Sequence, residues 1–289
     1  MEIIRAAHLG MCFGVRDAVD LALKHADAAP LTILGDLVHN PTVLHMLGSR
    51  GVASADSVAQ AKTPTVMVTA HGLSERRRRT VLERGLTIVD ATCPLVRVAH
   101  RAVAALVRDG CHPVIIGQRD HVEVRGLIED LESFDVVLND ADVLALRSHP
   151  RFGIAAQTTQ PIERVRRVVG LIRTRFPESQ VRFADTVCKP TKQRQTAAVD
   201  VARSCDVVVV IGGAHSNNTR ELVSTCARYC PRVHHAATEL DLRPEWFQAG
   251  DRVGITAGTS TPDAVIDRVE ARIRAFADRS TAAPAGGVR

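Results

Sequence analysis

Short apolar runs alternate with amphipathic stretches along this chain, which predicts strands alternating with helices. The runs PLTILG, PVIIG and VVVVIG end at Gly35, Gly117 and Gly212 and are typical of buried strands. Apolar residues at helical spacing follow Cys12 and Cys93. Strands that alternate with helices in this way form parallel sheets covered by helices. We therefore predict an α/β fold.

The alternation occurs three times with the same landmarks. Each copy begins at a cysteine that follows a short apolar run, at Cys12, Cys93 and Cys188, and the next strand ends in a glycine 23, 24 and 24 residues later. A polar residue stands four positions past each glycine, and another follows the third strand of each copy. These residues are His39, His121 and Ser216 after the glycines, and His71, Thr158 and Ser260 after the third strands. We interpret the pattern as three repeats of one α/β unit.

The repeats divide the chain into three predicted domains. They cover residues 12–93, residues 94–187, and residues 188–280 together with the N-terminal strand 1–11, and a disordered tail is expected at 281–289. The strand before Cys12 has no earlier unit, so we expect it to complete the third sheet and to close the chain into a ring. Three pseudo-threefold-related domains in such a trefoil would bring the three cysteines together at a central cluster site. Ligands of open α/β sheets bind past the carboxyl ends of strands, where these residues stand.

Composition limits the partners of the chain. There are 37 Lys and Arg against 32 Asp and Glu, a formal net charge of +5 that suits an anionic ligand or an acidic partner. Aromatic residues make up only 3%, too few to stack bases, so no nucleic acid is expected. No run of eighteen apolar residues and no secretory signal is present, which predicts a protein without a membrane span. Seven cysteines, an odd number, favour a reducing cytoplasm over a disulfide framework.

The three repeat-matched cysteines point to a cluster site. A single cysteine is often just a small buried apolar residue, but matched placement of three disfavours that interpretation. Zinc usually takes close Cys-x-x-Cys pairs, and the sequence has none. Thiolates bind iron–sulfur clusters, and three of them on a [4Fe–4S] cluster would leave one iron not ligated by cysteine. We interpret the other four cysteines as structural: Cys111 and Cys205 before strands, and Cys226 and Cys230 on one helix.

The polar residues of the repeats favour an anionic substrate. His39, His71 and His121 can each donate to phosphate oxygens, and Ser216, Asn217 and Asn218 stand at the start of a predicted helix, where anions bind. Glu123 follows His121 by two residues. Because a carboxylate repels an anion unless it is protonated or moves protons, Glu123 is the candidate acid.

These motifs together resemble those of the 4-hydroxy-3-methylbut-2-enyl diphosphate reductase family, the LytB-type iron–sulfur reductases. The matching segments are GMCFGV, HNP, AHG, DATCP, HVEV, QTT, RQ after the third cysteine, SNNT and TAGTSTPD. They occur in the family's order and spacing from about residue 10 to 270.

The resemblance implies a reductive dehydroxylation at the last step of the non-mevalonate isoprenoid pathway. In that reaction (E)-4-hydroxy-3-methylbut-2-enyl diphosphate gives isopentenyl and dimethylallyl diphosphate. By position, the cluster ligands would be Cys12, Cys93 and Cys188, and Glu123 and Thr158 would be catalytic. The substrate would be bound by His39, His71, His121, Thr158, Ser216, Asn217, Asn218 and Ser260. A ferredoxin or flavodoxin would supply the electrons.

Four departures from the family pattern keep alternatives open. Asn217 stands where a serine is usual, Ala214-His215 replaces Lys-Asn, HVEV replaces HPEV, and Gln193 replaces an asparagine. One alternative is a divergent paralogue that acts on another small diphosphate. Another is a non-enzymatic three-cysteine iron–sulfur sensor, which would not need Glu123 or the diphosphate donors. A dinucleotide-dependent dehydrogenase is excluded, because no G-x-G-x-x-G follows a strand and opens a helix.

Overall fold

The structure is a computed structural model that describes the backbone of residues 1–281 and the side chains of residues 1–277. The tail expected at 281–289 lies outside these described residues, apart from Thr281, which ends the last helix. The chain forms two compact units: one is Phe13–Thr191, and the other joins Met1–Cys12 to the chain from Lys192 onward. Among the described helices, none is both long and apolar enough to cross a membrane.

Strands and helices alternate along the described chain. From the N-terminus the elements are β1 (Glu2–Arg5), α1 (Phe13–Ala28), β2 (Leu31–Leu34), α2 (Pro41–Ser49), β3 (Ala53–Ala55), β4 (Thr65–Val68), α3 (Glu75–Glu83) and β5 (Thr87–Asp90). They continue with α4 (Pro94–Arg108), β6 (His112–Ile116), α5 (Val122–Ile128), β7 (Asp135–Val137), α6 (Asp140–Ala145), β8 (Arg151–Ala156), α7 (Ile162–Arg175) and β9 (Gln180–Phe183). The last are α8 (Lys189–Ser204), β10 (Val207–Ile211), α9 (Asn217–Cys226), β11 (Val233–Ala236), β12 (Arg252–Ala257) and α10 (Asp263–Thr281).

Three four-stranded sheets have the same strand order. The orders are β3-β2-β4-β5, β7-β6-β8-β9 and β11-β10-β12-β1, and every pair of neighbours is parallel. The N-terminal strand β1 therefore lies beside β12, with Glu2 opposite Arg252. The predicted α/β class with three similar parallel sheets is confirmed. The division into three domains at 12–93, 94–187 and 188–280 stays a prediction.

The apolar patterns correspond to the buried faces of these elements. All five residues of β10 are buried, as expected for a parallel strand covered on both faces. Helix α4 buries Val96, Ala99, Val103 and Leu106, which recur at three- and four-residue spacing on one side of the helix. Burial of that stripe against β6 and β8 fixes where the start of α4 lies at the sheet edge.

The three glycines that end the first strands share one backbone contact. The N–H groups of Gly35, Gly117 and Gly212 donate to the carbonyls of the last residues of β3, β7 and β11, at 2.8, 3.0 and 3.0 Å. Each bond adds one more pair to the parallel ladder beyond the end of the strand. The chain then leaves the sheet at its carboxyl edge. The polar residue four positions later is thereby placed at an equivalent point of each repeat.

Gly254 on β12 marks a close approach between strand and helix. A Cβ atom at Gly254 would lie 2.2 Å from Val201 Cγ1 and 3.1 Å from Cys205 Sγ, both on or next to α8.

We expect Gly254→Ala to lower the free energy of unfolding by about 1–3 kcal/mol, because the helix must move away. Gly170→Ala on α7 is the matched control. Apart from its chain neighbours and its own helix backbone, no atom lies within 4 Å of the added methyl group, and alanine favours a helix by about 1 kcal/mol over glycine. Urea midpoints measure both, and an unchanged midpoint for Gly254→Ala would contradict the close packing.

Candidate functional site

Three histidines meet at the carboxyl edges of two sheets in the unit Phe13–Thr191. His39 follows β2, His71 follows β4 and His121 follows β6. Their ring centroids are 4.5 Å apart for His39 and His71, and 5.3 and 5.5 Å from these two to His121. One nitrogen of each ring lies within 4.8 Å of the other two. The sequence singled out all three, and the structure brings them together; we call them the histidine triad.

His71 adds no positive charge to the histidine triad when no anion is bound. Burial, together with the neighbouring His39 and His121, holds the pKa of His71 well below its usual range. His121 accepts the Glu123 N–H at its Nδ1 over 3.1 Å, so in the neutral ring the proton is on Nε2. An incoming anion would favour protonated imidazoles, because it supplies the charge that burial removes. The triad can therefore bind an anion, and three imidazoles at these distances also fit a divalent metal ion.

Glu123 and Thr158 form a buried pair beside His121. The Thr158 N–H donates to Glu123 Oε1 over 2.6 Å, and the Thr158 hydroxyl donates to Oε2 over 3.0 Å. Burial raises the pKa of Glu123 from its ordinary value of 4.5 to about 7, although both bonds from Thr158 lower it. A carboxyl group that titrates near pH 7 can hold a proton and release it, as a general acid must.

The three repeat-matched cysteines have equivalent backbone contacts. In the unit Phe13–Thr191, the N–H of Cys93 donates to Ala70 O and that of Cys188 to Thr158 O, both over 3.0 Å. In the other unit, the N–H of Cys12 donates to Thr259 O, also over 3.0 Å. Each acceptor lies two residues past the end of the third strand of its repeat, and α1, α4 or α8 begins directly after each cysteine. The three thiols therefore stand at equivalent points, directly before a helix.

The chemistry of these three side chains suits an iron–sulfur group. A Cβ atom at Gly14 would lie 2.4 Å from Cys93 Sγ, so only glycine leaves room there. Cys12, Cys93 and Cys188 are all partly exposed, and Cys188 Sγ lies 3.1 Å from the Thr191 hydroxyl. Three accessible thiols at matched strand ends are a suitable donor set for such a cluster.

Three of the other cysteines, Cys111, Cys226 and Cys230, are buried. Cys205 is partly exposed like the repeat-matched three, but burial raises the pKa of its thiol. Cys226 is buried, and burial raises the pKa of its thiol to about 12, which disfavours the thiolate that a metal requires. Cys230 Sγ faces the carbonyls of Asp206 and Arg232 at 3.5 Å. The prediction that Cys226 and Cys230 share a helix was wrong, because α9 ends at Cys226 and a turn at 227–229 separates the two residues.

The second unit presents a buried polar helix start. Ser216 caps α9 by accepting the Thr219 N–H at its hydroxyl over 3.3 Å. Asn218 Oδ1 accepts the Thr259 N–H over 3.0 Å, which ties the SNNT segment to the TAGTS segment. Asn218 Nδ2 is buried and has no hydrogen-bond partner among the described residues. A buried amide donor of this kind needs an acceptor, which a bound anion would provide. The predicted residues Asn217 and Ser260 are buried in the same unit.

Arg194 holds the loop before Cys12, and sequence analysis assigned it no role. Its Nε and Nη2 donate to the carbonyl of Gly10 over 3.0 and 2.5 Å, and the side chain is buried. Gly10 has a φ of +74°, and a Cβ atom there would lie 2.8 Å from Ile266 Cδ1. The only signal in the sequence is the RQ segment after the third cysteine, which does not indicate a partner 184 residues away.

A second histidine cluster lies at the opposite edge of its sheet. His112 Nε2 is 2.8 Å from Asp135 Oδ2, and the His112 and His149 rings stack with centroids 3.7 Å apart. His112 and Asp135 begin β6 and β7, whereas His121 follows the carboxyl end of β6. The two histidine clusters are therefore separate.

The fold and the candidate site define a class of protein: a three-repeat parallel α/β protein with a cysteine at each matching strand end and a histidine triad beside a buried acid. The model of the LytB protein family matches residues 3–274 of this chain. Two relatives named 4-hydroxy-3-methylbut-2-enyl diphosphate reductase are 38% identical. The one from Aquifex aeolicus covers 95% of this chain and 96% of its own length, and the one from Geobacter sp. covers 96% and 98%.

Solved structures agree with the sequence comparisons. A structure of (E)-4-hydroxy-3-methyl-but-2-enyl diphosphate reductase, described as the terminal enzyme of the non-mevalonate pathway, is 37% identical and has a TM-score of 0.69. It matches 95% of this chain and 99% of that one. A Plasmodium falciparum reductase structure, 24% identical with a TM-score of 0.87 over 95% of this chain and 87% of that one, supports the fold. The chain belongs to the LytB protein family, and the resemblance seen in the sequence is confirmed.

The raised pKa of Glu123 predicts a pH-dependent stability. The folded protein binds this proton more tightly than the unfolded chain, so Glu123 lowers the free energy of unfolding as the pH rises from about 4.5 to about 7. We expect Glu123→Gln to be more stable than the wild type above pH 7, and the difference to shrink toward pH 4.5. Urea unfolding at several pH values measures it. A difference that does not change with pH would show that the buried carboxyl titrates normally.

Proposed function

We propose that this chain is an iron–sulfur oxidoreductase that converts (E)-4-hydroxy-3-methylbut-2-enyl diphosphate to isopentenyl and dimethylallyl diphosphate. Its family membership and the names of its relatives support this substrate. The observation that carries the proposal is the buried Glu123–Thr158 pair beside the histidine triad. A proton donor next to imidazoles that can bind an anion suits a reaction that removes a hydroxyl group from a diphosphate.

Cys12, Cys93 and Cys188 would hold a [4Fe–4S] cluster with one iron not ligated by cysteine. Their matched amide bonds and their partial exposure support this assignment, and Gly14 has no side chain to displace Cys93 Sγ. When bound, the cluster would supply electrons and a Lewis-acidic iron to the reaction.

Two groups of donors would bind the diphosphate. In one unit these are the imidazoles of the histidine triad, which gain positive charge when an anion approaches. In the other they belong to the buried start of α9 and the segment after β12, where Asn218 Nδ2 is a buried donor. The residues of this second group are Ser216, Asn217, Asn218 and Ser260.

Glu123 would supply the proton that leaves with the hydroxyl group. The reaction takes up two electrons and two protons, breaks the C–O bond, forms a C–H bond and releases water. Thr158 would lie at the substrate hydroxyl and pass the proton, because its own hydroxyl already bonds Glu123 Oε2. A threonine hydroxyl both donates and accepts, which this transfer requires.

The electron donor would be an acidic carrier such as a ferredoxin or flavodoxin. The net charge of +5 supports a complex with such a partner. We also propose a cytoplasmic location, since seven cysteines cannot all pair within one chain.

Replacement of the proposed acid should separate binding from turnover. We expect Glu123→Gln to bind the diphosphate normally and to lose turnover by roughly 100-fold or more. Wild-type turnover should fall as the pH rises through about 7, because Glu123 loses its proton, and the variant should lack that decline. Anaerobic assays with reduced viologen measure both, and Glu132→Gln at an exposed position is the control. An unchanged rate in Glu123→Gln would remove its assigned role.

The cluster ligands can be tested by metal content. Anaerobically purified protein should contain about four irons per chain, the content of one cluster. We expect Cys12→Ser, Cys93→Ser and Cys188→Ser each to lose iron or to bind it labilely, and Cys205→Ser to keep it.

Two outcomes of the metal analysis would count against these assignments. A stable, full iron content in Cys12→Ser would break the ligand assignment. One zinc per chain that is lost in His71→Gln would show that the histidine triad holds a metal rather than an anion.

A further inference from the structure

A cavity of about 590 Å³ lies between α3, α4 and α5 in the unit Phe13–Thr191. Its apolar lining comes from α4 and from the segment that contains α5: Val103, Ala104, Val107, Leu127 and Leu131. Pockets that bind small molecules usually measure about 300–1,000 Å³ and are mostly apolar with a few polar groups. No residue of the histidine triad lines this cavity.

Four arginines surround this apolar lining: Arg76, Arg79, Arg101 and Arg108. Among the described residues none of the four forms an ion pair, although each is exposed. The two arginines between Arg76 and Arg79 do form ion pairs. Arg77 pairs with Glu129 at 2.9 Å, and Arg78 pairs with Asp90 at 2.5 Å.

The two carboxylates in the cavity wall are already engaged. The Asp130 oxygens accept the backbone N–H groups of Glu75 and Arg76 over 2.7 and 2.9 Å, which caps the start of α3. Glu75 Oε1 lies 3.5 Å from Arg78 Nε, outside the group of four. The cavity therefore combines an apolar surface with guanidinium groups that lack a counter-ion.

His100 forms the wall between this cavity and the loop that carries His71. A Cβ atom at Gly72 would lie 3.2 Å from His100 Nε2, and one at Gly126 on α5 would lie 3.7 Å from it. Burial lowers the pKa of His100, so the ring adds no positive charge to the cavity at neutral pH. The charge available to a ligand comes from the arginines.

We propose that this cavity binds a small amphipathic anion, a phosphate or diphosphate ester with an apolar tail, at a site separate from the histidine triad. Arginine matches phosphate oxygens with paired N–H donors, and the apolar lining excludes water from a hydrocarbon tail. The cavity is concave and of small-molecule size, which favours a free ester over an acidic protein surface or a membrane.

Displacement of a fluorescent probe tests this site directly. The anionic dye 8-anilinonaphthalene-1-sulfonate would be bound to oxidised holoenzyme and displaced with geranyl diphosphate or inorganic pyrophosphate. We expect geranyl diphosphate to displace the dye at least about tenfold more effectively than pyrophosphate, because its tail buries apolar surface. No turnover is needed, so the result is independent of the proposed reductase activity.

Variants locate the site. The double variant Arg79→Gln/Arg101→Gln should weaken displacement by about tenfold or more, and Ala104→Trp should abolish dye binding by filling the cavity. Arg166→Gln/Arg173→Gln on α7 removes the same charge elsewhere and should have no effect. His71→Gln should also leave displacement unchanged. All of these variants except His71→Gln should keep the wild-type KM for the reductase substrate.

Three results would overturn the proposal. Equal weakening by the α7 control would show a nonspecific charge effect, and equal displacement by pyrophosphate would show that the apolar lining takes no part. Tighter, Arg79- and Arg101-dependent binding to anionic lipid vesicles or to an acidic carrier protein would assign the surface to a macromolecule instead.

Discussion

One backbone hydrogen bond, made three times, sets the positions of the cysteines. In each repeat the parallel ladder ends, the chain continues for two residues, and the carbonyl there accepts the amide of Cys12, Cys93 or Cys188. Buried backbone groups must be paired, so this bond fixes the turn between sheet and helix. The sulfur then stands at the start of a helix that its apolar stripe holds against the sheet. The placement of the thiols thus follows from sheet geometry, not from contacts of the thiols themselves.

Burial shifts the pKa values of the polar residues at the carboxyl edges of these sheets. The same exclusion of water lowers the pKa of His71 and raises that of Glu123 to about 7, so His71 is neutral and Glu123 exchanges its proton near pH 7. The neutral His71 ring adds no charge repulsion to the triad, and a bound anion would favour its protonated form. Thr158 connects the turn at Cys188 to the buried acid. Its carbonyl accepts the Cys188 N–H, and its own N–H and hydroxyl donate to Glu123.

The sequence was sufficient for features that recur with a period. Matching cysteines, glycines and polar residues predicted three α/β repeats and singled out every member of the histidine triad. Hydrogen bonds between residues far apart in the sequence leave no periodic pattern in it. The bond from Arg194 to Gly10 depends on the pairing of the N-terminal strand β1 with β12, and the bond between Asn218 and Thr259 on the pairing of β10 with β12. The end of α9 before Cys230 was missed for a local reason, since a four-residue spacing fits a helix and a helix end equally well.

The departures from the family pattern differ in where they lie. His215 is exposed on the turn before α9, whereas Asn217 is buried in its first turn. Ser216 still caps the helix, so an asparagine in place of serine keeps the local fold and replaces a hydroxyl with an amide. Val122 is the first residue of α5, where the family pattern has a proline. The N–H of the first helical residue has no partner within the helix, so either residue fits there. His121 still caps α5. In the proposed substrate site, a change in preference would therefore act through Asn217, because it alone among these positions is buried at a helix start.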